Sequence, residues 1–227
     1  MSPIKGFTPS QETYDGSSLR IAIVHARWNK SIIDALVNGA IKKLAELGVK
    51  PTNIVVQSVP GSFELPLACS KVIGAAHVQA GATVTDLLGG LVQSPIVKSS
   101  SRAGTPALMS GSTSNQPFDA VIAIGVLIKG ATMHFEYIAD AVSHALMRLQ
   151  MDSGVPVIFG VLTALNDSQA MERAGIGHGD LKGHNHGEDW AIAAIEMGAQ
   201  SKKWGNVPGI LVLWIVGPPS LYCCVIG

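Results

Sequence analysis

Gly125-Val126-Leu127-Ile128-Lys129-Gly130-Ala131-Thr132-Met133-His134-Phe135-Glu136-Tyr137 joins an apolar run to a helical pattern through one short turn. The run, Ala120–Ile128, reads as a strand buried on both faces of a parallel sheet. It stops at Lys129-Gly130, and apolar residues then recur at Phe135, Ile138, Ala139, Val142, Leu146 and Leu149, the spacing of one helix face. A Gly-Ala-Thr turn between strand and helix leaves backbone N–H groups and the positive helix end facing outward, which favours an anion such as phosphate. His134 falls in the first turn of that helix, and imidazole both donates and accepts protons near neutral pH. An anion cradle with a proton-transfer group beside it has the makings of a reaction centre.

Outward from this segment, strands and helices alternate. Residues 19–24 form a first strand, the loop His25-Ala26-Arg27-Trp28-Asn29 follows, and a helix with Ile32, Ile33, Leu36, Val37, Ala40, Ile41 and Leu44 on one face runs to near Gly48. Residues 54–58 are a second strand, and Val59-Pro60-Gly61-Ser62 turns the chain into a helix over residues 63–76. After the central segment come a fourth strand at 155–162, a short helix near 168–174, a Gly/His-rich loop and a last helix over 188–204. Short strand–helix connections imply right-handed crossovers and a parallel sheet covered on both faces. Ligands in such folds bind outside the carboxyl ends of the strands, where all these loops lie.

The chain has 227 residues, enough for one large domain with its own core. Charged residues make up 14%, well below the ~25% of ordinary soluble domains, so much surface must be buried, part of it between subunits. Basic and acidic residues balance at 16 each, which leaves no field for nucleic acid and no polybasic stretch for a membrane. Cys69, Cys223 and Cys224 make neither a disulfide framework nor a metal-ligand spacing. No signal-like segment opens the sequence, and a reducing, cytoplasmic setting is expected.

Three segments fall outside the alternation. Residues 1–18 are polar and read as an N-terminal arm, residues 81–116 as a Ser/Gly-rich surface insertion within a single domain spanning 19–205, and residues 206–227 as an apolar tail. The tail's uninterrupted apolar run, 210–216, is far short of the ~20 residues that span a bilayer. Cys224-Val225-Ile226-Gly227 has the outline of a prenylation box, but a terminal Gly and the absence of preceding basic residues argue against it.

Arg27-Trp28-Asn29, Val59-Pro60-Gly61-Ser62-Phe63-Glu64-Leu65-Pro66 and Gly130-Ala131-Thr132-Met133-His134, each after a strand, together resemble the lumazine synthase family. So do Val155-Pro156-Val157-Ile158-Phe159-Gly160-Val161-Leu162-Thr163 and Glu172-Arg173-Ala174-Gly175, while His184-Asn185-His186-Gly187-Glu188-Asp189-Trp190 is similar to its fungal branch. The likeness covers roughly residues 15–204. It implies a flavodoxin-like three-layer α/β/α sandwich whose four-stranded parallel sheet has the order 2-1-3-4. It also implies a transferase that condenses 5-amino-6-ribitylaminouracil with 3,4-dihydroxy-2-butanone 4-phosphate to 6,7-dimethyl-8-ribityllumazine, in riboflavin synthesis, without metal or organic cofactor. It implies too a homopentamer with active sites at subunit interfaces and an N-terminal arm, around Lys5 to Phe7, adding to a neighbour's sheet edge.

Site residues follow from the same likeness. Trp28 would stack on the pyrimidine, or else cap the core; Asn29 would cap its helix, contact substrate, or both. Ser62 and Phe63 would hold the pyrimidine through their backbone, and Glu64 would bond the ribityl hydroxyls, although a carboxylate at a helix start is favourable for dipole reasons alone. Val126, Leu127 and Ile128 would line the pocket, and Phe159 would be a wall supplied to the neighbouring subunit, or an ordinary core aromatic. Gly130, Ala131 and Thr132 would take the phosphate, completed by Arg173 from a neighbour and by His186, where many members carry Lys. His134 would move the protons. His178, His184 and His186 lack a helix-spaced pair with a carboxylate partner, so no metal site is read from them. A non-catalytic flavin or lumazine carrier of the same fold is the competing reading, since fold alone does not decide function.

Overall fold

The computed structural model describes residues 12–81, 116–177 and 183–205. β1 (Ile21–Ala26), β2 (Ile54–Val59), β3 (Ala120–Ile128) and β4 (Val157–Ala164) form one parallel sheet in the order β2-β1-β3-β4. The helices are α1 (Lys30–Glu46), α2 (Leu65–Gly81), α3 (His134–Ser153), α4 (Asp167–Arg173) and α5 (His186–Gly205). This is the three-layer sandwich and strand order that the sequence implies.

Alternate residues of the two central strands face opposite layers, as the period of a strand requires. Ile21, Ile23, Ile122 and Ile124 pack against Ile33, Leu36 and Leu44 of α1 and Ala191, Ala194 and Ile195 of α5. Ala22, Val24, Val121 and Ala123 face Leu65, Cys69 and Ile73 of α2 and Val142 and Leu146 of α3. Two buried faces on one strand explain why β3 reads as an unbroken apolar run.

Strand and helix ends depart from the sequence reading where polar groups intervene. β1 starts two residues late because the Arg20 amide donates to Asp119 Oδ2 at 2.7 Å instead of entering the ladder. β4 also starts late: the Val155 amide is taken by Ser153 Oγ at 3.2 Å, and Pro156 has no N–H to give. A 3₁₀ turn, Ser62–Glu64, precedes α2, which runs on to Gly81, past the expected 76. α5 begins at His186, so this residue is helical rather than part of the preceding loop.

The N-terminal boundary shifts as well. Tyr14 packs on the α1/α5 core and the Gly16 amide donates to the Leu47 carbonyl at 3.0 Å, so residues 12–18 belong to this chain's own body. Any arm is therefore shorter than 1–18, and Lys5 to Phe7 lie outside the described residues, as do 82–115 of the expected insertion and the tail 206–227. Among the described residues no helix is long and apolar enough to cross a membrane.

Candidate active site

The chain leaves β1 for β2 on one side and returns to β3 on the other, so the crossovers diverge between β1 and β3. The carboxyl ends of those two strands therefore open a crevice, the place where ligands settle in this class of fold. A cleft of about 580 Å³ lies there, lined by Trp28 and Asn29 from the β1–α1 loop, residues 61–64, Val126, Leu127 and Ile128 at the end of β3, and His134 and Ile138 of α3.

Three loops build it, and each is held in place. The Arg27 amide donates to the Pro60 carbonyl at 3.3 Å, tying the first loop to the second. Asn29 takes a left-handed backbone (φ 59°), which Asn tolerates better than most residues. Its side chain does not cap α1, contrary to the expectation; Nδ2 donates instead to the Val126 carbonyl at 3.1 Å, pinning the loop to β3. Trp28 is 71% exposed and Phe63 59% exposed, so neither caps a core. The Gly61 amide donates to Glu64 Oε2 at 2.9 Å, which orients that carboxylate at the cleft.

Gly125 permits the closest approach. A Cβ there would stand 2.5 Å from Ser62 Oγ and 3.0 Å from Leu65 Cδ1, so only glycine lets the Ser62 turn lie directly on β3. Ser62 is buried with its hydroxyl unpaired among the described residues.

β3 ends where the Lys129 amide donates to the Ala164 carbonyl at 2.9 Å. Gly130, Ala131, Thr132 and Met133 are exposed, and no side chain caps α3. The first amides of a helix have no partner within it, so this end is electropositive and open to an anion. His134, the first residue of α3, is exposed on the cleft, and no described residue occupies its ring nitrogens. By contrast, burial pushes the Cys69 thiol up to about 12, so it stays protonated and packs as an apolar group.

Other expected site residues lie elsewhere. Phe159 is 44% exposed on β4 and does not line this cleft, which removes the core-aromatic reading. Arg173 ends α4, exposed, and among the described residues its guanidinium donates to the Gln169 carbonyl at 3.4 Å. His186 pairs with Asp189 at 3.0 Å, and Asp189 also takes His184 at 2.9 Å, at the start of α5, which packs on α1. Among the described residues no group of side chains has the makings of a metal site; His178 lies outside them. Gly61 and Ile138, missed from sequence, line the cleft; Ile138 stands one helical turn after His134, a spacing that gives it away.

The family model for 6,7-dimethyl-8-ribityllumazine synthase matches residues 18–91 and 100–202. The chain belongs to the lumazine synthase family. A 6,7-dimethyl-8-ribityllumazine synthase of Pyricularia oryzae is 55% identical over 200 residues, 88% of this chain and 96% of its own length. The lumazine synthase of Schizosaccharomyces pombe is 44% identical over 88% of this chain and 98% of its own. A bacterial one, from Kineococcus radiotolerans, is 34% identical over 80% of this chain and 84% of its own. The lumazine synthase match breaks only between residues 91 and 100, inside the segment read as an insertion.

Proposed function

We propose that this protein condenses 5-amino-6-ribitylaminouracil with 3,4-dihydroxy-2-butanone 4-phosphate, forming 6,7-dimethyl-8-ribityllumazine and releasing phosphate and water. One observation carries the reading: an exposed aromatic, an oriented carboxylate and an unengaged imidazole share a cleft with an open helix N-terminus, in a chain 55% identical to a named synthase.

In this reading Trp28 stacks on the pyrimidine, and the Ser62-Phe63 backbone and Glu64 hold the ring and the ribityl chain. Val126, Leu127 and Ile128 form the apolar floor. Gly130, Ala131 and Thr132 receive the phosphate. The 5-amino group attacks the butanone carbonyl, and His134 delivers the proton with which the hydroxyl leaves as water, giving an imine. His134 then takes a proton from the carbon next to the imine, and the electron pair expels phosphate. The enol left by phosphate loss tautomerises to a methyl ketone, and the ribitylamino nitrogen closes the ring onto that new carbonyl with loss of a second water. Positioning two substrates in one cleft supplies much of the remaining rate.

Arg173, His186 and Phe159 do not reach their own chain's cleft. The reading therefore includes a homopentamer in which Arg173 and Phe159 serve a neighbour's site. His186 meets Asp189 through Nδ1, which leaves Nε2 to donate to a phosphate at a neighbour's site.

The test is stoichiometry. With both substrates and no added metal, product and phosphate should appear in equal amounts, above the uncatalysed background, over many turnovers per site. Tight binding of a ribityl-pyrimidine analogue without phosphate release would favour the carrier reading instead.

A further inference from the structure

Lys129 and Glu136 stand at the two ends of the exposed anion turn, one just after β3 and the other in the first turn of α3. The Lys129 ammonium meets Glu136 Oε1 at 2.6 Å, closing a loop over the residues between them. Both ends are anchored: Lys129 through its amide to the end of β4, Glu136 through a helix whose Val142 and Leu146 are buried in the core. Between the anchors, Gly130, Ala131 and Thr132 make no hydrogen bond to any described residue. Among the described residues, the ion pair and the two chain connections are the polar ties that set the path of these three residues.

A carboxylate in the first turn of a helix is drawn to the same positive end that would attract a phosphate, and left alone it would repel that phosphate. The hydrogen bond from Lys129, followed by one from its own amide, holds the Glu136 carboxyl below the usual carboxylate range, so it is charged at neutral pH. Lys129 cancels that charge where it matters. Both side chains are half-exposed, and the pair adds little to global stability.

We propose that the Lys129–Glu136 ion pair is a positioning device for the phosphate-binding turn, acting through the backbone of residues 130–132 and not by contact with the phosphate. The inference rests on the synthase reading above. It differs in sign from the simpler idea that Lys129 is a direct phosphate ligand. Were Lys129 such a ligand, Glu136→Gln would free it and remove a repelling carboxylate, so phosphate would bind more tightly. A positioning pair gives the opposite result.

The experiment compares wild type, Glu136→Gln, Lys129→Met and the charge-swapped Lys129→Glu/Glu136→Lys protein. KM is measured for each substrate, together with competitive inhibition by inorganic phosphate. Both single variants should raise KM for the butanone phosphate and Ki for inorganic phosphate about two- to fivefold, the scale of a half-exposed ion pair. KM for the pyrimidine should stay within twofold, and the swapped pair should regain most of the loss. Tighter or unchanged phosphate binding in Glu136→Gln, or no recovery in the swap, overturns the proposal. Melting temperatures close to wild type identify the loss as local; a parallel drop in pyrimidine affinity and melting temperature would also overturn it. A wild-type protein without turnover contradicts the synthase reading itself, whereas an active wild type with insensitive variants contradicts only the ion pair's role.

Discussion

Trp28 is the residue whose exposure most needs a partner. An indole 71% open to water at the mouth of a cleft gives up apolar contact that a planar ring would restore. Base–aromatic stacking is worth ~1–3 kcal/mol, so Trp28→Ala should weaken binding of the ribitylaminouracil or a ribityl-pyrimidine analogue by about five- to a hundredfold. Trp28→Phe keeps a flat face and should lose only a few-fold. Fluorescence titration or KM measures both, and an unchanged affinity in the alanine variant would remove Trp28 from the site. That Trp28 and Glu64 line the strand-end cleft was legible because each sits in a short family motif directly after a strand. Asn29 was not: its partner, the Val126 carbonyl, is 97 positions away, and no local pattern announces a bond across two loops. Its helix-start position suggested a cap, but the left-handed backbone turns the side chain to β3 instead.

At the level of elements, β3 and the turn beneath it depend on a missing side chain. Gly125→Ala would set a methyl 2.5 Å from Ser62 Oγ, against a turn that also carries Phe63 and Glu64. Overpacking of this kind costs ~1–3 kcal/mol, and denaturant unfolding should register it as a lower midpoint at unchanged slope. A variant as stable as wild type would mean that the turn is free to move away. β3 could be read to the residue because both of its faces are buried. β1 and β4 were each placed two residues early, since apolar character continues through Leu19 and Val155 while the backbone bonds there go to side chains. Ion pairs on the helices set a pH response with a definite sign. Lys43 holds the Glu46 carboxyl below its usual range on α1, as Lys129 does for Glu136. A depressed carboxyl contributes stability that is complete above its unfolded value of ~4.3 and is lost as pH falls through the folded value. Lys43 itself is raised, chiefly by its hydrogen bond to Glu46, so its share is complete below ~10.4 and lost only in stronger alkali. Melting temperature should therefore show no loss from these groups between pH 7 and 5 and a decline below about pH 4, shallower in Glu46→Gln. An acid limb identical in that variant would contradict the assignment.

Across the whole molecule, no Lys or Arg among the described residues lines the cleft. Arg173 and His186 lie away from it, and Met147, Met151, Tyr137 and Leu165 are exposed on and beside α3 and β4. Large apolar side chains left open along one helix are candidates for a protein interface. If Arg173 serves a neighbour, His134→Ala and Arg173→Ala subunits, each impaired alone, should regain part of the activity when unfolded together and co-assembled. Recovery appears because some interfaces then pair an intact His134 with an intact Arg173. No recovery, or an active monomer in sedimentation, would contradict the shared site. The covered parallel sheet was legible from alternation and crossover handedness, whereas its strand order and the pentamer came only with the family resemblance. A sequence shows low charge density; it does not show which faces meet. The N-terminal boundary was misjudged for a related reason: residues 12–18 are polar in composition, yet Tyr14 and Gly16 fit a groove formed by the α1 terminus and α5, elements remote in sequence.

The central claim is that the cleft at the β1/β3 switch point catalyses the condensation with His134 as its proton carrier. The measurement that tests it most directly is turnover of the two substrates by wild type and His134→Ala, following lumazine absorbance and free phosphate together after subtraction of the unaided reaction. Wild type should accelerate the reaction and the variant should show a kcat about one to three decades lower, in keeping with the usual scale of acid–base catalysis. No acceleration by wild type, or an undiminished kcat in His134→Ala, would contradict it.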